Sequence, residues 1–341
     1  MQVIYDFRIV SIFQPKIISM SNIKWGVIGI GKIAEKFTQD LETVMGCELY
    51  AVASTNLKRA QAFAVQHKAD FAYGSYEEIF NAPDLDVVYI ATPHTTHAYC
   101  TKLCLEKNVA VLCEKPFAMN EIEVESMLAS AKENDTFLME AMWTRFLPST
   151  LKVLELVEGG AIGEIKTIHA DFGFKADFEP ERRLFNPQLG GGALLDIGIY
   201  PAYLSLLLLG YPSNIEATSI IGSTGVDETT SFLLRYDQNA TAVLNCTILA
   251  DTNTDAWIYG TKGKIQIHSR FHESKKVTLF ENGGTPVDYE FDRPTRGYDF
   301  EIEEVNYCLR EGLKESKLMP HTMSRKLIHL LDKIRGKSGI E

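Results

Sequence analysis

A lysine follows an apolar stretch that has the character of a buried strand. In "NVAVLCEKP" the apolar residues run into Glu114-Lys115-Pro116, so Lys115 stands where the strand ends. A lysine held in such a place can give or take a proton once its surroundings tune its pKa. A structural salt bridge with Glu114 is the alternative, but adjacent residues of a strand point to opposite faces. Lys115 is therefore a candidate for proton chemistry.

A carboxylate and a phenol recur at helical spacing in "GGGALLDIGIYPAYLSLLLLG". Asp196 and Tyr200 are four positions apart and would share one face of a helix, while Leu204 and Leu207 can be buried on another. Three glycines, Gly190–Gly192, would let the backbone approach a partner closely. The alternative is a core helix in which the tyrosine is merely packed.

The glycines of "IKWGVIGIGKIAEKF" lie between a predicted strand and a predicted helix. This is the pattern G-x-G-x-x-A, in which Gly29 permits a tight turn and Gly31 lets the backbone approach a pyrophosphate. Ala34 allows the helix to pack closely on the strand, and the helix start at Lys32 and Ile33 supplies amide donors for an anion. The sequence therefore predicts a dinucleotide site here.

The end of the next predicted strand, "ELYAVASTNLKRA", lacks the Asp or Glu that usually binds the ribose hydroxyls of NAD. Ser54, Thr55 and Asn56 can donate to a 2'-phosphate, and Lys58 or Arg59 can neutralise it. Alternatively, Lys58 and Arg59 form the solvated first turn of the following helix. The pattern favours NADP as cofactor, with NAD still possible.

Two more predicted strands end in polar residues, in "LDVVYIATPHTTHAY" and "NVAVLCEKP". Ligands of an open parallel sheet lie outside the carboxyl ends of its strands, so these ends should converge with the glycine turn. His97 could equally cap the next helix, and neither histidine here has a metal-like partner, so no metal site is predicted. The expected cofactor contacts from these strand ends are Thr92, Pro93, His94, His97, Glu114 and Lys115.

Length and composition exclude several classes of protein. The chain has 341 residues, of which 45% are hydrophobic and 23% charged, as expected of a globular enzyme with two domains. A net charge of -11 argues against nucleic acid as a partner. The six cysteines form no C-x-x-C pair and indicate reduced thiols in the cytoplasm. The apolar run "YLSLLLLGYP" is shorter than the ~20 residues of a membrane span.

The pattern changes after Pro148, where alternation of strands and helices gives way to long strand-like runs joined by turns. We therefore predict an α/β protein: a Rossmann dinucleotide-binding domain followed by an α+β domain with a large, mostly antiparallel open sheet. The expected divisions are an N-terminal extension at 1–19, the dinucleotide-binding domain at 20–145, and a substrate-binding and oligomerisation domain at 146–341. The last helix should pack back near the first domain.

The motifs "GVIGIGKIA", "ATPHTTH", "EKPFAMN" and "GGGALLDIGIYPAY", in this order, resemble the glucose-fructose oxidoreductase and inositol dehydrogenase (Gfo/Idh/MocA) family from Met20 onward. "EAMWTRFLP" and the tyrosine of "DIGIY" are most similar to its branch of dimeric dihydrodiol dehydrogenases and NADP-dependent D-xylose 1-dehydrogenases. The resemblance implies a Lys-Pro peptide that is often cis, and a homodimer or dimer of dimers. Relatives often have arginine at the position of Thr55, a departure that weakens the NADP prediction.

The resemblance also implies a reaction: hydride transfer between NADP and a hydroxyl of a sugar or cyclic diol. Removing the hydroxyl proton needs a base, and we expect Lys115 and Tyr200 to act jointly, with Asp196 orienting the substrate or the lysine. Burial and a positive nicotinamide should depress the lysine pKa, and the lysine cation that of the tyrosine. The alternatives are a reductase of ketosugars or anhydrosugars, and a noncatalytic dinucleotide-binding regulator.

Three residues of "EAMWTRFLP" are expected at the substrate together with Tyr200. Trp143 and Phe146 could offer flat apolar surface to the ring of a sugar or diol, and Arg145 a hydrogen-bond donor. Ordinary packing between the two domains is the alternative for each of them.

Overall fold

A computed structural model of the chain describes residues 22–340, so the predicted extension at 1–19 lies outside the described residues. The first part of the chain forms a six-stranded sheet of order β3-β2-β1-β4-β5-β6, in which every pair is parallel. This is the order of a dinucleotide-binding Rossmann sheet. Its strands are β1 Ile23–Ile28, β2 Cys47–Ala53, β3 Phe71–Tyr73, β4 Val87–Ile90, β5 Ala110–Glu114 and β6 Leu138–Ala141.

The inner strands β1, β4 and β5 are almost wholly buried, as expected for a parallel sheet covered by helices on both faces. The strand order reverses between β1 and β4, which are direct neighbours. Their carboxyl ends and that of β5 therefore meet at one crevice. The helices of this part are α1 Lys32–Leu41, α2 Leu57–His67, α3 His97–Leu105 and α4 Glu121–Glu133.

The second sheet has eight strands in the order β14-β13-β12-β11-β7-β10-β9-β8. Only β7 and β10 pair in parallel; the other neighbours are antiparallel, which confirms the predicted fold class for the described residues. Its strands are β7 Ile165–Gly173, β8 Asn214–Ile221, β9 Asp227–Tyr236, β10 Ala240–Thr247, β11 Ala256–Gly260, β12 Gly263–Ile267, β13 Lys276–Glu281 and β14 Val287–Glu290.

The remaining helices cover this sheet and join it to the first one. The helix α8 packs on β8, α6 and α4, and α7 contacts α1. One described segment, Pro187–Leu209, is long and apolar enough to cross a membrane, but 83% of its most apolar window is buried, as in a core helix. These helices are α5 Pro148–Glu158, α6 Ile199–Leu209, α7 Asp299–Arg310 and α8 His321–Ser338.

A buried carboxylate ties the segment before α7 to the first sheet's helices. Asp40 in α1 accepts backbone N–H groups of Arg296, Gly297 and Tyr298 at 2.9 to 3.1 Å. A Cβ at Gly297 would lie 2.7 Å from Leu147, so the close approach requires glycine. The consequence is that Tyr298 is fixed at the edge of the crevice between the two sheets.

Candidate active site

A cleft of about 590 Å³ opens at the carboxyl ends of β1, β2, β4 and β5 and is closed on its far side by the segment before α6. Most of the residues predicted to bind cofactor or substrate line it. From the predicted set these are Gly29, Gly31, Lys32, Ile33, Ser54, Thr55, Arg59, Thr92, Pro93, His94, His97, Glu114, Lys115, Trp143, Asp196 and Tyr200.

The glycine turn between β1 and α1 has the backbone geometry that a pyrophosphate site requires. Gly29 has φ +87°, and a Cβ there would lie 2.7 Å from the carbonyl oxygen of Ala91. A Cβ at Gly31 would meet no atom within 4 Å, and no side chain caps the start of α1. Ala34 is fully buried and packs beneath the turn instead of lining the cleft. These residues therefore fit a dinucleotide, whose phosphates the amides of α1 would bind.

The ribose end of the cleft is lined by Ser54, Thr55, Arg59 and Tyr76, and the only carboxylates on the described cleft wall belong to Glu114 and Asp196. The Arg59 guanidinium donates to the carbonyl oxygen of Ile30 at 3.3 Å, beside the glycine turn. No acid therefore opposes a 2'-phosphate at this end.

Asn56 does not line the cleft, contrary to its prediction as a cofactor contact. Its side chain accepts the backbone N–H of Arg59 at 3.2 Å and caps α2. The physical reason is that the first helical N–H groups need an acceptor.

Lys115 lies between the two halves of the molecule. Its Nζ donates to the backbone carbonyl of Asp196 at 2.8 Å, is 3.5 Å from Asp196 Oδ1, and stands 5.0 Å from the centroid of the Tyr200 ring. The lysine thus contacts the face of the ring and not its hydroxyl. The Lys115-Pro116 peptide is cis, as the family resemblance implied. An ammonium has three donors, and these contacts leave one for a substrate.

Glu114 turns away from the Lys115 ammonium. Its carboxylate accepts the Tyr89 hydroxyl and, at 3.1 Å, the backbone N–H of Lys115. The opposite-face argument for adjacent strand residues holds here. Burial raises the pKa of Glu114, against the lowering effect of Lys115.

Asp196 and Tyr200 reach the same cleft, but not on one regular α-helix. Residues Leu194–Gly198 form a π-helical turn, and α6 begins only at Ile199. Such turns are frequent at functional sites. Both side chains are nevertheless brought to Lys115.

Arg183 completes this group and was not predicted. Its Nη1 and Nη2 donate to Asp196 Oδ1 and Oδ2 at 2.8 and 3.1 Å, a two-pronged contact. Nothing in the sequence distinguishes it from the neighbouring Arg182, which pairs on the surface with Glu179. Only the folded loop before α6 shows which arginine enters the cleft.

The two histidines of "PHTTH" are buried among backbone carbonyls. His94 Nδ1 is 3.0 Å from the oxygen of Gly190, and the two ring nitrogens of His97 face the oxygens of Pro116 and Thr92 at 2.8 and 3.0 Å. Burial lowers the pKa of His97 to about 4, so it is neutral at pH 7. A neutral imidazole has a single N–H, so His97 donates to one of these two oxygens while its other nitrogen faces the second one, between the ends of β4 and β5.

Of the three residues of "EAMWTRFLP" predicted at the substrate, only Trp143 lines the cleft. Trp143 Nε1 donates to the Tyr200 hydroxyl at 3.0 Å, and its ring stacks on Tyr298 at a centroid distance of 4.7 Å. Arg145 Nε donates instead to the carbonyl of Leu318 at 3.0 Å, and Phe146 is buried. Neither of the latter two lines the cleft, because the short helical turn at 143–146 presents only the tryptophan to it.

Two further aromatic residues, one lining the cleft and one packed against Tyr200, were not predicted. Tyr298 lines the wall beside Trp143, and the ring of His272 lies 4.9 Å from that of Tyr200. Both come from irregular segments of the second half, where sequence periodicity gives no signal.

Comparison with known proteins agrees with this geometry. A model of an oxidoreductase family with an NAD-binding Rossmann fold matches residues 23–142, and a model of the GFO/IDH/MocA C-terminal domain matches residues 150–266. The chain belongs to the GFO/IDH/MocA family. The resemblance found in the sequence motifs is thereby confirmed.

Curated family members include trans-1,2-dihydrobenzene-1,2-diol dehydrogenases. That of Danio rerio is 38% identical over 332 residues, which cover 93% of this chain and 97% of the relative. That of Homo sapiens is 35% identical over 329 residues, with coverages of 93% and 97%. The chain is therefore an NAD(P)-dependent oxidoreductase that acts on CH–OH groups, and the alternative of a noncatalytic regulator is excluded.

Solved structures of the family share the fold. Aldose-aldose oxidoreductase from Caulobacter crescentus, complexed with glycerol, has a TM-score of 0.86 at 23% identity, covering 93% of this chain and 98% of that one. A 3-ketoreductase from Actinomadura kijaniata, in complex with NADP and TDP-benzene, has a TM-score of 0.83 at 25% identity, with the same coverages.

The charges in this family member's cleft compensate one another. Burial raises the pKa of Asp196, but Lys115 and Arg183 outweigh it and hold that pKa well below its ordinary value. Burial lowers the pKa of Lys115, but Tyr200, Asp196 and Glu114 outweigh it, so the lysine pKa is raised. Burial raises the pKa of Tyr200 more than Lys115 lowers it. The protein's own groups thus contradict the expected depression of both values.

Proposed function

We propose that the protein is an NADP-dependent oxidoreductase of trans-dihydrodiols or aldoses, with Lys115 and Tyr200 as the proton-transfer pair. The observation that carries the proposal is the contact of Lys115 with both Asp196 and the Tyr200 ring, at the strand end beside the glycine turn. The dihydrodiol dehydrogenases among its relatives support the diol as the substrate class.

The roles follow from the donors that each group has left. In oxidation the neutral form of Lys115 receives the hydroxyl proton on Nζ, and in reduction the ammonium, which has one N–H left beside its contacts with Asp196, gives that proton to the substrate oxygen. The Tyr200 hydroxyl accepts from Trp143 and keeps its own proton to donate to the same oxygen. Asp196, fixed by Arg183, orients Lys115. A bound dinucleotide supplies the acceptor or donor of the hydride.

Water exclusion is a further contribution of the chain itself. Trp143, Tyr200 and Tyr298 are each buried, and Trp143 contacts both tyrosines. Such a dry aromatic wall strengthens the electrostatic interactions at the lysine. It also offers an apolar surface to the ring of a cyclic diol.

The reductase of a ketosugar remains a second candidate, and one observation favours it. Because the pKa of Lys115 is raised, the lysine is a cation at neutral pH and can give a proton to a carbonyl oxygen. A screen of NADP+ reduction with trans-dihydrodiols, aldopentoses, aldohexoses and inositols, and of NADPH oxidation with ketosugars, tests both directions. No turnover in either direction would contradict the proposed function.

Cofactor choice rests on the absence of an acid at the ribose end and on the place of Arg59. NADP(H) should bind more tightly than NAD(H) in a fluorescence titration. Arg59→Met should weaken NADP(H) binding about ten- to a hundredfold and leave NAD(H) unchanged, because only the former offers a 2'-phosphate. Lys58→Met, one residue earlier but outside the cleft, is the matched control. A tenfold preference of the wild type for NAD(H) would overturn the NADP assignment.

The assembly that we propose is a homodimer or a dimer of dimers, formed through the outer face of the second sheet. Leu233, Val243, His169 and Trp257 form one row across β9, β10, β7 and β11 on that face. Val243 is 50% exposed, and such an apolar row is usually covered. Light scattering should give a dimer or tetramer that Val243→Asp weakens. A wild-type monomer at micromolar concentration would contradict this.

A cytoplasmic location is proposed from the cysteines. All six are free thiols, and five of them are buried. Disulfides are rare in reducing compartments, so the thiols suit the cytoplasm. Cell fractionation with an antibody against the protein tests the location.

A further inference from the structure

A second pocket of about 510 Å³ adjoins the cleft, and Lys36 and Tyr298 line both. It lies between α1, the segment after β12 and the segment before α7. In a chain of net charge -11 it concentrates positive charge, since Glu273 is its only carboxylate among the described residues. We call it the basic pocket; its cations are Lys36, Arg270, Lys275, Arg293 and Arg296.

Arg293 is buried in the wall of the basic pocket with donors unused. The residue is only 7% exposed. Its Nη2 donates to the carbonyl oxygen of Glu273 at 2.6 Å, but Nε and Nη1 are buried without a hydrogen-bond partner. Burial lowers the pKa of Arg293, as expected for a cation without sufficient compensation. Unpaired buried donors of a charged group are costly, and they suit an acceptor that comes from outside.

The carboxylates near Arg293 are already engaged elsewhere. Glu273 pairs with Arg270, Asp40 accepts backbone N–H groups of the segment before α7, and Asp299 accepts the hydroxyl of Thr295 at 2.7 Å. Among the described residues none of them forms an ion pair with Arg293. The positive charge of the pocket is therefore left for a ligand.

We propose that the basic pocket binds an oxyanion of the phosphate class, with the free N–H groups of Arg293 as its fixed donors. A guanidinium presents donors that match two oxygens of a phosphate, and Arg270, Lys275 and Arg296 add positive charge at the rim. The pocket is many times larger than a water molecule's share of about 30 Å³, so it accepts a phosphate with part of its carrier. Because Lys36 and Tyr298 belong to both cavities, that carrier can extend into the cleft.

Direct binding tests this without reference to turnover. Inorganic phosphate is titrated calorimetrically into the full-length protein against chloride of matched ionic strength, with and without saturating NADP+. Wild type should bind phosphate saturably in both conditions, and Arg293→Gln and Arg296→Gln should each bind about tenfold more weakly or less. Arg296 is exposed, so its variant tests the pocket even if Arg293→Gln fails to fold.

Arg182→Gln is the matched control for Arg296→Gln, because Arg182 is also an exposed arginine but lies outside the basic pocket and pairs with Glu179. It should bind phosphate as the wild type does. Absence of saturable binding, binding that survives Arg296→Gln, or binding that NADP+ abolishes would each overturn the proposal. The last result would place the anion at the cofactor's own phosphate positions.

A second experiment distinguishes a phosphate ester from free phosphate as the ligand of the pocket. Only this experiment rests on the proposed function. The kcat/KM for glucose 6-phosphate is compared with that for glucose in wild type and Arg296→Gln. A preference for the ester that the variant loses assigns the pocket to the substrate's phosphate; no preference assigns it to free phosphate. If neither sugar is turned over, the aldose part of the proposed function fails, while the binding titration still decides the pocket.

Discussion

The catalytic cleft and the basic pocket each contain a buried cation, but the charge of that cation is compensated in the cleft and not in the pocket. In the cleft, Lys115 contacts Asp196, whose carboxylate also accepts a bidentate hydrogen bond from Arg183, so positive and negative charges alternate. In the basic pocket, Arg293 keeps two buried nitrogens without a partner, and nearby carboxylates are engaged elsewhere. The first arrangement holds a side chain in place for proton transfer. The second leaves charge available for an anion.

The difference shows why burial alone does not identify a catalytic lysine. Burial lowers the pKa of both Lys115 and Arg293, but only at Lys115 do neighbouring groups outweigh it. A compensated cation keeps its proton at neutral pH and can give it to an oxygen that gains negative charge. A buried cation without such compensation, like Arg293, is stabilised by binding a permanent anion.

Among these predictions, the largest effect is expected on turnover when Lys115 is removed from the cleft. Lys115→Met keeps most of the bulk of the side chain but deletes its donors, so turnover should fall by about 10² to 10⁴ with little change in NADP(H) affinity. Steady-state kinetics and a fluorescence titration give the two numbers. Lys32→Met, at the glycine turn of the same cleft, is the control and should change cofactor affinity more than turnover. Near-normal turnover of Lys115→Met would make this lysine a structural charge only.

The loss of stability on mutation should also differ between the cleft and the basic pocket. Asp196→Asn leaves Lys115 and Arg183 without their common anion and should lower the free energy of unfolding by about 3 to 5 kcal/mol. Arg293→Met removes a charge that has no ion pair and should change it by about 1 kcal/mol or less. Urea unfolding of both variants checks this. Equal losses would mean that Arg293 is compensated after all.

The tyrosine should matter less than the lysine. Tyr200→Phe keeps the ring under Lys115 but deletes the hydroxyl that accepts from Trp143, so turnover should fall by about 10- to 100-fold. The double variant with Lys115→Met should lose much less than the product of the two factors, since groups that act as a unit are not additive. Strictly multiplicative losses would show that the two residues act independently.

The cofactor half of the cleft was predictable because its chemistry is local. Gly29, Gly31 and Ala34 lie in one turn, and Lys115 directly follows a recognisable strand, so sequence order alone brings them to one sheet edge. Asn56, also predicted to contact the cofactor, caps α2 and does not line the cleft, because the same side chain can cap a helix or face a ligand. Sequence spacing does not distinguish these two orientations.

The substrate half of the cleft depends on tertiary contacts that the periodicity of the sequence does not encode. Arg183 reaches Asp196 from a loop. Tyr298 is held in place because its backbone N–H and those of the two preceding residues donate to Asp40, more than 250 positions earlier. Arg145, predicted to contact the substrate, lies outside the cleft because a short helical turn directs it to Leu318. Arg293 gave no signal, since an isolated arginine near a turn is ordinarily solvated.

The pH dependence of hydride transfer tests most directly whether Lys115 carries the exchanged proton. Its pKa is raised above the ordinary lysine value of about 10.4, so between pH 7 and 10 its neutral form increases tenfold per pH unit while its cationic form stays nearly constant. Single-turnover rates of the wild type should therefore rise with slope one in the logarithm for oxidation and stay flat for reduction, and Lys115→Met should lose the slope. A flat oxidation profile in the wild type, or an unchanged slope in Lys115→Met, would contradict the assignment.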